Sequence, residues 1–314
     1  MSMKQNEYLP EGKISATAAV KEYTCTPEGL ERAMLDGIIL EGRSFLCDND
    51  QSLHVTVGMF TGIIPKDECV YSADGERTKD IAIISRVGKP VCFKIIDILK
   101  DSDGRPKPIL SRKAAQRDCM LFYLEKLAAG DIIEARVTHL EPFGAFVDIG
   151  CGIISLLSID CMSVSRISHP RERFDAGQYI KVIIKTPTDT YGRITLTHRE
   201  LLGTWEQNAS RFTIGQTAAG IVRSIESYGV FVELTPNLAG LAELRNDISV
   251  GQHAAVYIKN IIPEKMKIKL VIIDTYEGEK QPNIYAYPEG VAHMDYWRYS
   301  PEVSDKLIES VFLN

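Results

Sequence analysis

The middle of the chain is patterned as a series of short, half-buried strands. In the segment GDIIEARV, Ile133, Ala135 and Val137 alternate with charged residues, which is the period of a strand with one buried face. The segments AFVDI, GIISLLSI, YIKVIIK and GRITLTH follow as four more short strands, with a long insertion between the third and the fourth. Five strands in about 70 residues predict a small five-stranded Greek-key barrel.

This barrel pattern occurs again further along the chain. The segments GDIIEARVTHLEPFGAFVDI (130–149) and GQTAAGIVRSIESYGVFVEL (215–234) align without a gap, and their starts lie 85 residues apart. A weaker third copy at 37–58 needs one extra residue in the turn; there His54 falls opposite Phe146, and the aromatic pair of the other copies is missing. The sequence therefore predicts an all-β protein with linker helices, built from tandem five-stranded OB-fold barrels.

Helical patterns lie between and beyond the barrels. RKAAQRDCMLFYLEKLAAG is rich in helix formers, and THRELLGTWEQNASRF places Trp205 at helical spacing, which indicates a packing residue. The C-terminal SPEVSDKLIESVF carries the apolar stripe of a helix at Val303, Leu307, Val311 and Phe312, and this helix is expected to dock on a barrel or to hold a partner. The predicted organisation is an N-terminal helical lead-in (1–35), a degenerate barrel (36–113), a linker helix (114–129), a second barrel (130–201), a second linker helix (202–214), a third barrel (215–275) and an acidic tail with a C-terminal helix (276–314).

The strand AFVDI and its counterpart VFVEL each carry an aromatic residue on the face that should point away from the barrel interior. Alternation places Phe146 and Phe231 outside, together with the acidic residue two positions later. A bulge or bend at the preceding glycine would bring Phe143 and Tyr228 to the same face. Exposed rings on such a barrel stack on unpaired bases; the alternative is that they cover the barrel mouth or an interdomain contact. We expect these four residues to bind RNA.

The long insertion of the second barrel carries a cluster of basic residues. In SVSRISHPRERF, Arg166, His169, Arg171 and Arg173 are interrupted by a single acidic residue. Arginine side chains suit phosphate oxygens and also stack on bases. We expect these four residues to contact RNA, and the alternative is a solvated loop.

Charge and composition narrow the kind of partner. A net charge of −6 argues against a protein that grips duplex phosphates, whereas single strands held by stacking need less charge. The longest apolar runs are strand-sized and the N-terminus lacks a secretory signal, so no membrane association is expected. The seven cysteines never take a CxxC spacing and the six histidines are dispersed, which predicts no metal, no cofactor and a reducing cytoplasmic location.

The same survey finds no HExxH, GxSxG or P-loop spacing. The chain is therefore not expected to be an enzyme.

The ordered motif of a glycine, a strand, Phe/Tyr-Gly-Ala/Val-Phe-Val-Asp/Glu and a closing Gly-Arg-Ile-x-Leu-Thr strand resembles the S-one (S1) RNA-binding domain. The resemblance is strong over 130–201 and 215–273 and weak over 37–112. The whole arrangement is similar to the short three-repeat S1-like proteins of Gram-positive anaerobes. It implies a basic residue on the last strand of the RNA face, which falls on Arg193 in the second barrel and on Lys267 in the third.

One element of the family pattern is missing. The resemblance implies a histidine after the glycine-leucine of the third strand, and here GIIS places Ser155 in that position and GLAE places Glu243. Because a carboxylate on this face repels phosphate, the third barrel is expected to be the weaker binder.

The sequence leaves three competing functions open. In the first, which the resemblance implies, the protein holds single-stranded mRNA through the second and third barrels in translation, and the first barrel docks on the small ribosomal subunit. In the second, it is a free RNA-binding regulator of RNA stability or processing. In the third, it is a protein–protein adaptor with no affinity for RNA.

Overall fold

A computed structural model describes residues 8–14, 18–72, 80–189, 192–278 and 284–312, and within these ranges it contains three closed five-stranded barrels. The first barrel contains β1 (Leu40–Cys47), β2 (Leu53–Val57), β3 (Phe60–Ile64), β4 (Pro90–Lys100) and β5 (Pro106–Ser111). The second contains β6 (Ile132–Glu141), β7 (Gly144–Asp148), β8 (Ile154–Ser158), β9 (Tyr179–Thr186) and β10 (Thr195–Thr197). The third contains β11 (Thr217–Glu226), β12 (Gly229–Thr235), β13 (Leu238–Ala242), β14 (His253–Ile262) and β15 (Lys267–Tyr276).

All three barrels have the same topology. In each, the neighbours run first–second–third–fifth–fourth strand, and the third and fifth strands pair in parallel while the other pairs are antiparallel. This is the arrangement of an OB-fold barrel. The predicted fold class, all-β with tandem five-stranded barrels, is therefore confirmed, including the degenerate first barrel.

Short helices lie before, within and between the barrels. Helices α1 (Ala18–Thr24) and α2 (Pro27–Leu35) precede the first barrel, and α3 (Asp80–Ile84) lies between its third and fourth strands. Helices α4 (Arg112–Phe122) and α5 (Trp205–Ala209) connect the barrels. The first linker helix, α4, begins at Ser111, whose hydroxyl accepts from the backbone N–H of Ala114, and it ends well before the glycine that the sequence suggested as its stop. In the second linker, Trp205 is 2% exposed, which confirms it as a packing residue. No helix among the described residues is long and apolar enough to span a bilayer.

The residues that point into the barrels follow the alternation in the sequence. Some residues on the outer faces are also buried, because other segments of the chain cover them. Ala145, Val147 and Ile149 are buried as expected. Asp148 and Glu233, expected on the outside, are instead 1% and 6% exposed, because other parts of the chain lie over them. Alternation within a strand cannot show such coverage, since it comes from residues distant in sequence.

The segment that covers Asp148 is the N-terminal strap (residues 8–14), which lies between the first and second barrels. The backbone N–H of Glu11 donates to Asp148 Oδ2 over 2.7 Å, and the side chain of Glu11 accepts from Arg112 Nε over 2.7 Å. The strap also bonds to the first barrel, where Gly12 N donates to Glu41. Burial alone would raise the pKa of Glu11, but the Arg112 guanidinium lowers it, so this carboxylate stays ionised.

The C-terminal segment is not the helix that its apolar spacing predicted. It forms β16 (Tyr296–Arg298) and β17 (Glu309–Val311), which pair antiparallel. The pairing places Trp297 against the third barrel and Phe312 against the second, each about as buried as a core residue. Of the four residues of the expected helical stripe, Phe312 is buried, whereas Val303, Leu307 and Val311 are exposed.

Candidate nucleic-acid interface

The aromatic pair of the second barrel lies at the tight turn between β6 and β7. Glu141 pairs with Gly144, so only Pro142 and Phe143 form the loop. The rings of Phe143 and Phe146 meet edge to face, with centroids 6.0 Å apart and planes at 89°. Phe143 is 55% exposed. The imidazole of His139 stacks on Phe146 from the neighbouring strand, at 6.4 Å and 24°.

The third barrel repeats this geometry. Tyr228 and Phe231 lie 6.1 Å apart with planes at 89°, and Tyr228 is 67% exposed. Ser224 occupies the position of His139, since it pairs with Phe231 as His139 pairs with Phe146. We call these two surfaces the second-barrel platform (Phe143, Phe146) and the third-barrel platform (Tyr228, Phe231).

Gly144 and Gly229, which precede the second ring of each platform, were expected to mark a bulge or bend in their own strands. The structure gives a different reason for glycine at these positions. The bulge lies in the opposite strand, between Val137 and His139 in the second barrel and at the matching place in the third. A Cβ on Gly144 would lie 2.6 Å from the carbonyl oxygen of Leu157, and one on Gly229 would lie 2.5 Å from that of Ala242. Glycine therefore allows the third strand to approach the platform hairpin closely.

Strand register shows which residues flank the rings. Phe146 pairs with Leu156, which pairs with Thr195 on the last strand. The corresponding row of the third barrel is Phe231, Leu241 and Lys269. Lys269 is exposed in the same row as Phe231, one strand beyond Leu241, and sequence reasoning missed it. Lys269 occupies an outward-facing position in the alternation of β15, and this pattern could have identified it from the sequence.

The predicted last-strand cations lie two residues before this row in both barrels. Arg193 precedes Thr195 and Lys267 precedes Lys269 by the same step, so the two are equivalent. Arg193 is exposed and its Nε lies 3.1 Å from Asp189 Oδ2. Lys267 is exposed at the start of β15.

In the second barrel, Ser155 does not occupy the position of the family histidine, although the sequence alignment had suggested that it would. Val147 pairs with Ser155, whereas Val232 pairs with Gly240, so Ser155 matches the glycine of the family motif. The residue equivalent to Glu243 is therefore Ser158, three positions later. Ser155 is 7% exposed, and its hydroxyl donates to the carbonyl of Ile194.

Glu243, which was expected to weaken the third barrel, lies in a cationic neighbourhood. Its Oε1 is 3.9 Å from Lys259 Nζ, and its side chain is 90% exposed. Exposed pairs of this kind contribute little to stability, but the ammonium offsets the field of the carboxylate toward phosphate. The weaker binding of the third barrel stays a prediction.

The basic insertion of the second barrel divides into exposed and buried parts. Arg166 and Arg171 are exposed. His169 begins a short 3-10 turn, where its Nδ1 accepts from the backbone N–H of Arg171 and Glu172 completes a capping box. Its imidazole therefore has a structural task in addition to any contact with a ligand.

Arg173, expected to contact RNA, is fully buried instead. Its guanidinium donates to both carboxylate oxygens of Glu233 in the third barrel, over 3.1 and 2.6 Å. Arg223 donates to the same carboxylate and also pairs with Glu172. The hydroxyl of Tyr285 donates to the Arg173 carbonyl over 2.7 Å. This group, the interbarrel ion cluster (Glu172, Arg173, Arg223, Glu233), joins the two barrels and leaves Arg173 no open face for RNA.

The first barrel has its own variant of the aromatic surface. Register places His54 in the position of Phe146, as the sequence alignment expected. Its Nε2 lies 3.0 Å from Asp48 Oδ2, and its ring contacts that of Phe45 at 6.2 Å. Phe45 is 51% exposed at the bulge of β1. The pair that the sequence appeared to lack is thus partly supplied from the adjacent strand.

Among the described residues, no group of three or more His, Cys, Asp or Glu side chains is arranged to hold a metal ion. The geometry is that of a binding surface: paired, partly exposed rings, with cations on or just before the last strand, two strands away in the barrel.

Comparison with known protein families identifies the type of domain that the second barrel forms. Residues 126–199, which contain the second barrel, match the S1 RNA binding domain family. The molecule is therefore built from tandem S1-type OB barrels, and the resemblance seen in the sequence is confirmed.

Three proteins similar to this chain are small ribosomal subunit proteins or a homolog of one. The chain is 31% identical over 215 residues to the small ribosomal subunit protein bS1 of Rhizobium meliloti, covering 62% of this chain and 37% of that protein. It is 29% identical over 226 residues to the bS1 homolog of Bacillus cereus, covering 68% and 56%. For bS1 of Staphylococcus aureus the identity is 31% over 211 residues, covering 61% and 52%. The chain thus spans 37% to 56% of the length of these relatives.

Proposed function

We propose that the protein binds single-stranded RNA by stacking unpaired bases on the second-barrel and third-barrel platforms. The observation that carries this proposal is the repeated pair of rings, which has the same 89° geometry and nearly the same spacing in two barrels of one chain. An interdomain packing role would bury the rings, yet Phe143 and Tyr228 are more than half exposed.

The charges around the platforms support single strands over duplex. Stacking contributes about 1–3 kcal/mol per base and needs no dense array of cations. The cations that the proposal uses are Arg193, two residues before the last strand of the second barrel, and Lys267 and Lys269 on the last strand of the third. These can contact the phosphates of a strand whose bases lie on the rings.

We infer further that the RNA is mRNA and that the protein acts in translation in the cytoplasm, without catalysis. This step is supported by its similarity to small ribosomal subunit proteins. The first barrel, whose surface carries Phe45 and His54 in place of a full platform, is the part proposed to dock on the small ribosomal subunit.

The test is an anisotropy titration of a labelled, unstructured RNA of about 15 nucleotides, which matches the upper site size of an OB fold, against a duplex of equal length. Phe146→Ala and Phe231→Ala remove one ring from each platform, and Phe60→Ala, in the first barrel, is a control that removes a ring outside both platforms. Each platform variant should weaken binding by about 1–3 kcal/mol, with an almost unchanged salt dependence, because no charge is lost.

Equal binding of duplex and single strand, or platform variants that bind like the wild type, would show that the rings are packing residues. Co-sedimentation with small ribosomal subunits at moderate salt tests the ribosomal part separately. RNA binding without co-sedimentation would identify a free RNA-binding regulator.

A further inference from the structure

A cleft of about 720 Å³ lies between the second and third barrels. Its walls come from the basic insertion of the second barrel, the linker after α5, strand β11 and the segment at Tyr285. A cavity of this size falls in the range of small-molecule and nucleotide sites. The interbarrel ion cluster forms one side of it, so the cleft belongs to the interface that holds the two barrels together.

Two cations of the cleft have no partner in the part of the chain that the structure describes. The cleft is lined by Arg171, in the basic insertion of the second barrel, and by Arg211, which follows α5. Both side chains are exposed. Among the residues that the structure describes, neither guanidinium has a hydrogen-bond or ion-pair partner. Arg223, by contrast, is already neutralised by Glu172 and Glu233. Two unengaged guanidinium groups favour a phosphate oxygen ligand.

Apolar side chains line the rest of the cleft. Ile221, Pro236 and Val250 lie there beside Tyr285. A surface that combines arginines with apolar and aromatic side chains suits a nucleotide, whose base needs a flat apolar contact and whose phosphate needs donors.

The cleft continues from the third-barrel platform along a single strand. Ser224 pairs with Phe231 on the platform, and Ile221, three residues earlier on β11, lines the cleft. Three strand residues span roughly 10 Å. A strand of RNA stacked on Phe231 can therefore reach the cleft without leaving the surface of the barrel.

We propose that the cleft holds one nucleotide of the RNA strand whose neighbouring bases stack on the third-barrel platform. Arg171 and Arg211 bind its phosphate, and the apolar wall at Ile221 and Val250 takes its base. The proposal rests on the proposed function and extends it from the two platforms to the interface between them.

The test compares two charge-matched double variants in titrations with the 15-nucleotide RNA at several salt concentrations. Arg171→Gln with Arg211→Gln removes the cations of the cleft, and Arg105→Gln with Arg117→Gln removes two exposed arginines remote from it. The cleft variant should bind roughly 10-fold more weakly or worse, as expected for lost hydrogen bonds to a charged group. Its slope of log affinity against log salt should fall by about 0.7, because one phosphate contact is lost.

Phe231→Ala and a free nucleotide complete the experiment. Phe231→Ala should weaken binding with an unchanged salt slope, which reports the proposed function independently of the cleft. Cleft and control variants with equal affinity and slope, alongside a clear effect of Phe231→Ala, would overturn the cleft and leave the platforms standing. Uridine monophosphate that binds the wild type and not the cleft variant, while RNA affinity is the same for both, would also overturn it, because the cleft would then hold a free nucleotide.

Discussion

At the residue scale, local strand alternation sets the exposure of the platform rings, whereas a partner from another barrel sets the burial of Arg173. Period-two alternation in AFVDI and VFVEL is enough to place Phe146 and Phe231 outside the barrels. The burial of Arg173 depends on Glu233, 60 residues later in the chain. A local sequence pattern contains no information about such a pairing. The sequence therefore predicted RNA contact for every basic residue of the insertion, including Arg173.

A buried histidine makes stability depend on pH in a defined window. Burial lowers the pKa of His198 to about 4, and the positive charge of nearby Arg173 acts in the same direction. Its Nδ1 lies 3.0 Å from the carbonyl oxygen of Met162, and its Nε2 lies 3.0 Å from the hydroxyl of Tyr287. Because the folded state binds this proton less well than the unfolded state does, the contribution is complete above about pH 6.5 and is lost as the pH falls toward 4.

We expect this loss to amount to about 3 kcal/mol of unfolding free energy between those pH values. The measurement is urea denaturation of the wild type and of His198→Phe, which cannot titrate, at steps from pH 7 to pH 4. The difference between the two should shift in favour of the variant as the pH falls, whatever its offset at pH 7. A difference that stays constant over this range would show that His198 does not titrate differently in the folded and unfolded states.

At the element scale, tertiary contacts decided where local periodicity was ambiguous. The spacing of Val303, Leu307 and Val311 suits a helix, but the strand pair β16–β17 buries Trp297 and Phe312 against two different barrels. Large aromatic residues contribute most to burial, so their docking outweighs a weak helical stripe. The barrels themselves were predictable because each strand carries its own alternation and the repeat confirmed the boundaries of the pattern.

The interbarrel ion cluster predicts an asymmetric response to mutation. Glu233→Gln leaves Arg173 and Arg223 buried beside each other with their shared carboxylate gone, which should cost about 3–5 kcal/mol of unfolding free energy. Arg173→Met should cost less, since Arg223 still neutralises Glu233. The measurement is denaturant unfolding of both single variants and of the double variant. Equal costs, or a greater cost for Arg173→Met, would show that the cluster is not held by the shared carboxylate.

At the scale of the whole molecule, the cluster fixes the second barrel relative to the third, so the distance between the two platforms is set. A rigid pair of sites should respond sharply to RNA length, because a strand gains the second site only once it can span the separation. The linker between them adds further contacts, with Asn237 donating to the carbonyls of Arg199 and Gly203.

We therefore expect affinity to rise by roughly 100-fold or more over a narrow range of RNA lengths between about 5 and 20 nucleotides. The measurement is a titration series in steps of two nucleotides. In the double variant Phe146→Ala with Phe231→Ala the step should disappear. A gradual rise in proportion to the number of binding registers would mean that the platforms act independently.

The N-terminal strap has a consequence for the order of events during synthesis. The backbone N–H of Glu11 binds a carboxylate 137 residues further along the chain. At about 5–20 residues per second, Asp148 leaves the peptidyl transferase centre roughly 7 to 27 s after Glu11 does. The strap can bind Glu41 of the first barrel early, but Cys151, whose N–H donates to Leu9, does not yet exist. The strap is made before both barrels and is among the last segments to reach its final place. The nascent first barrel must therefore persist on its own until the second has been translated.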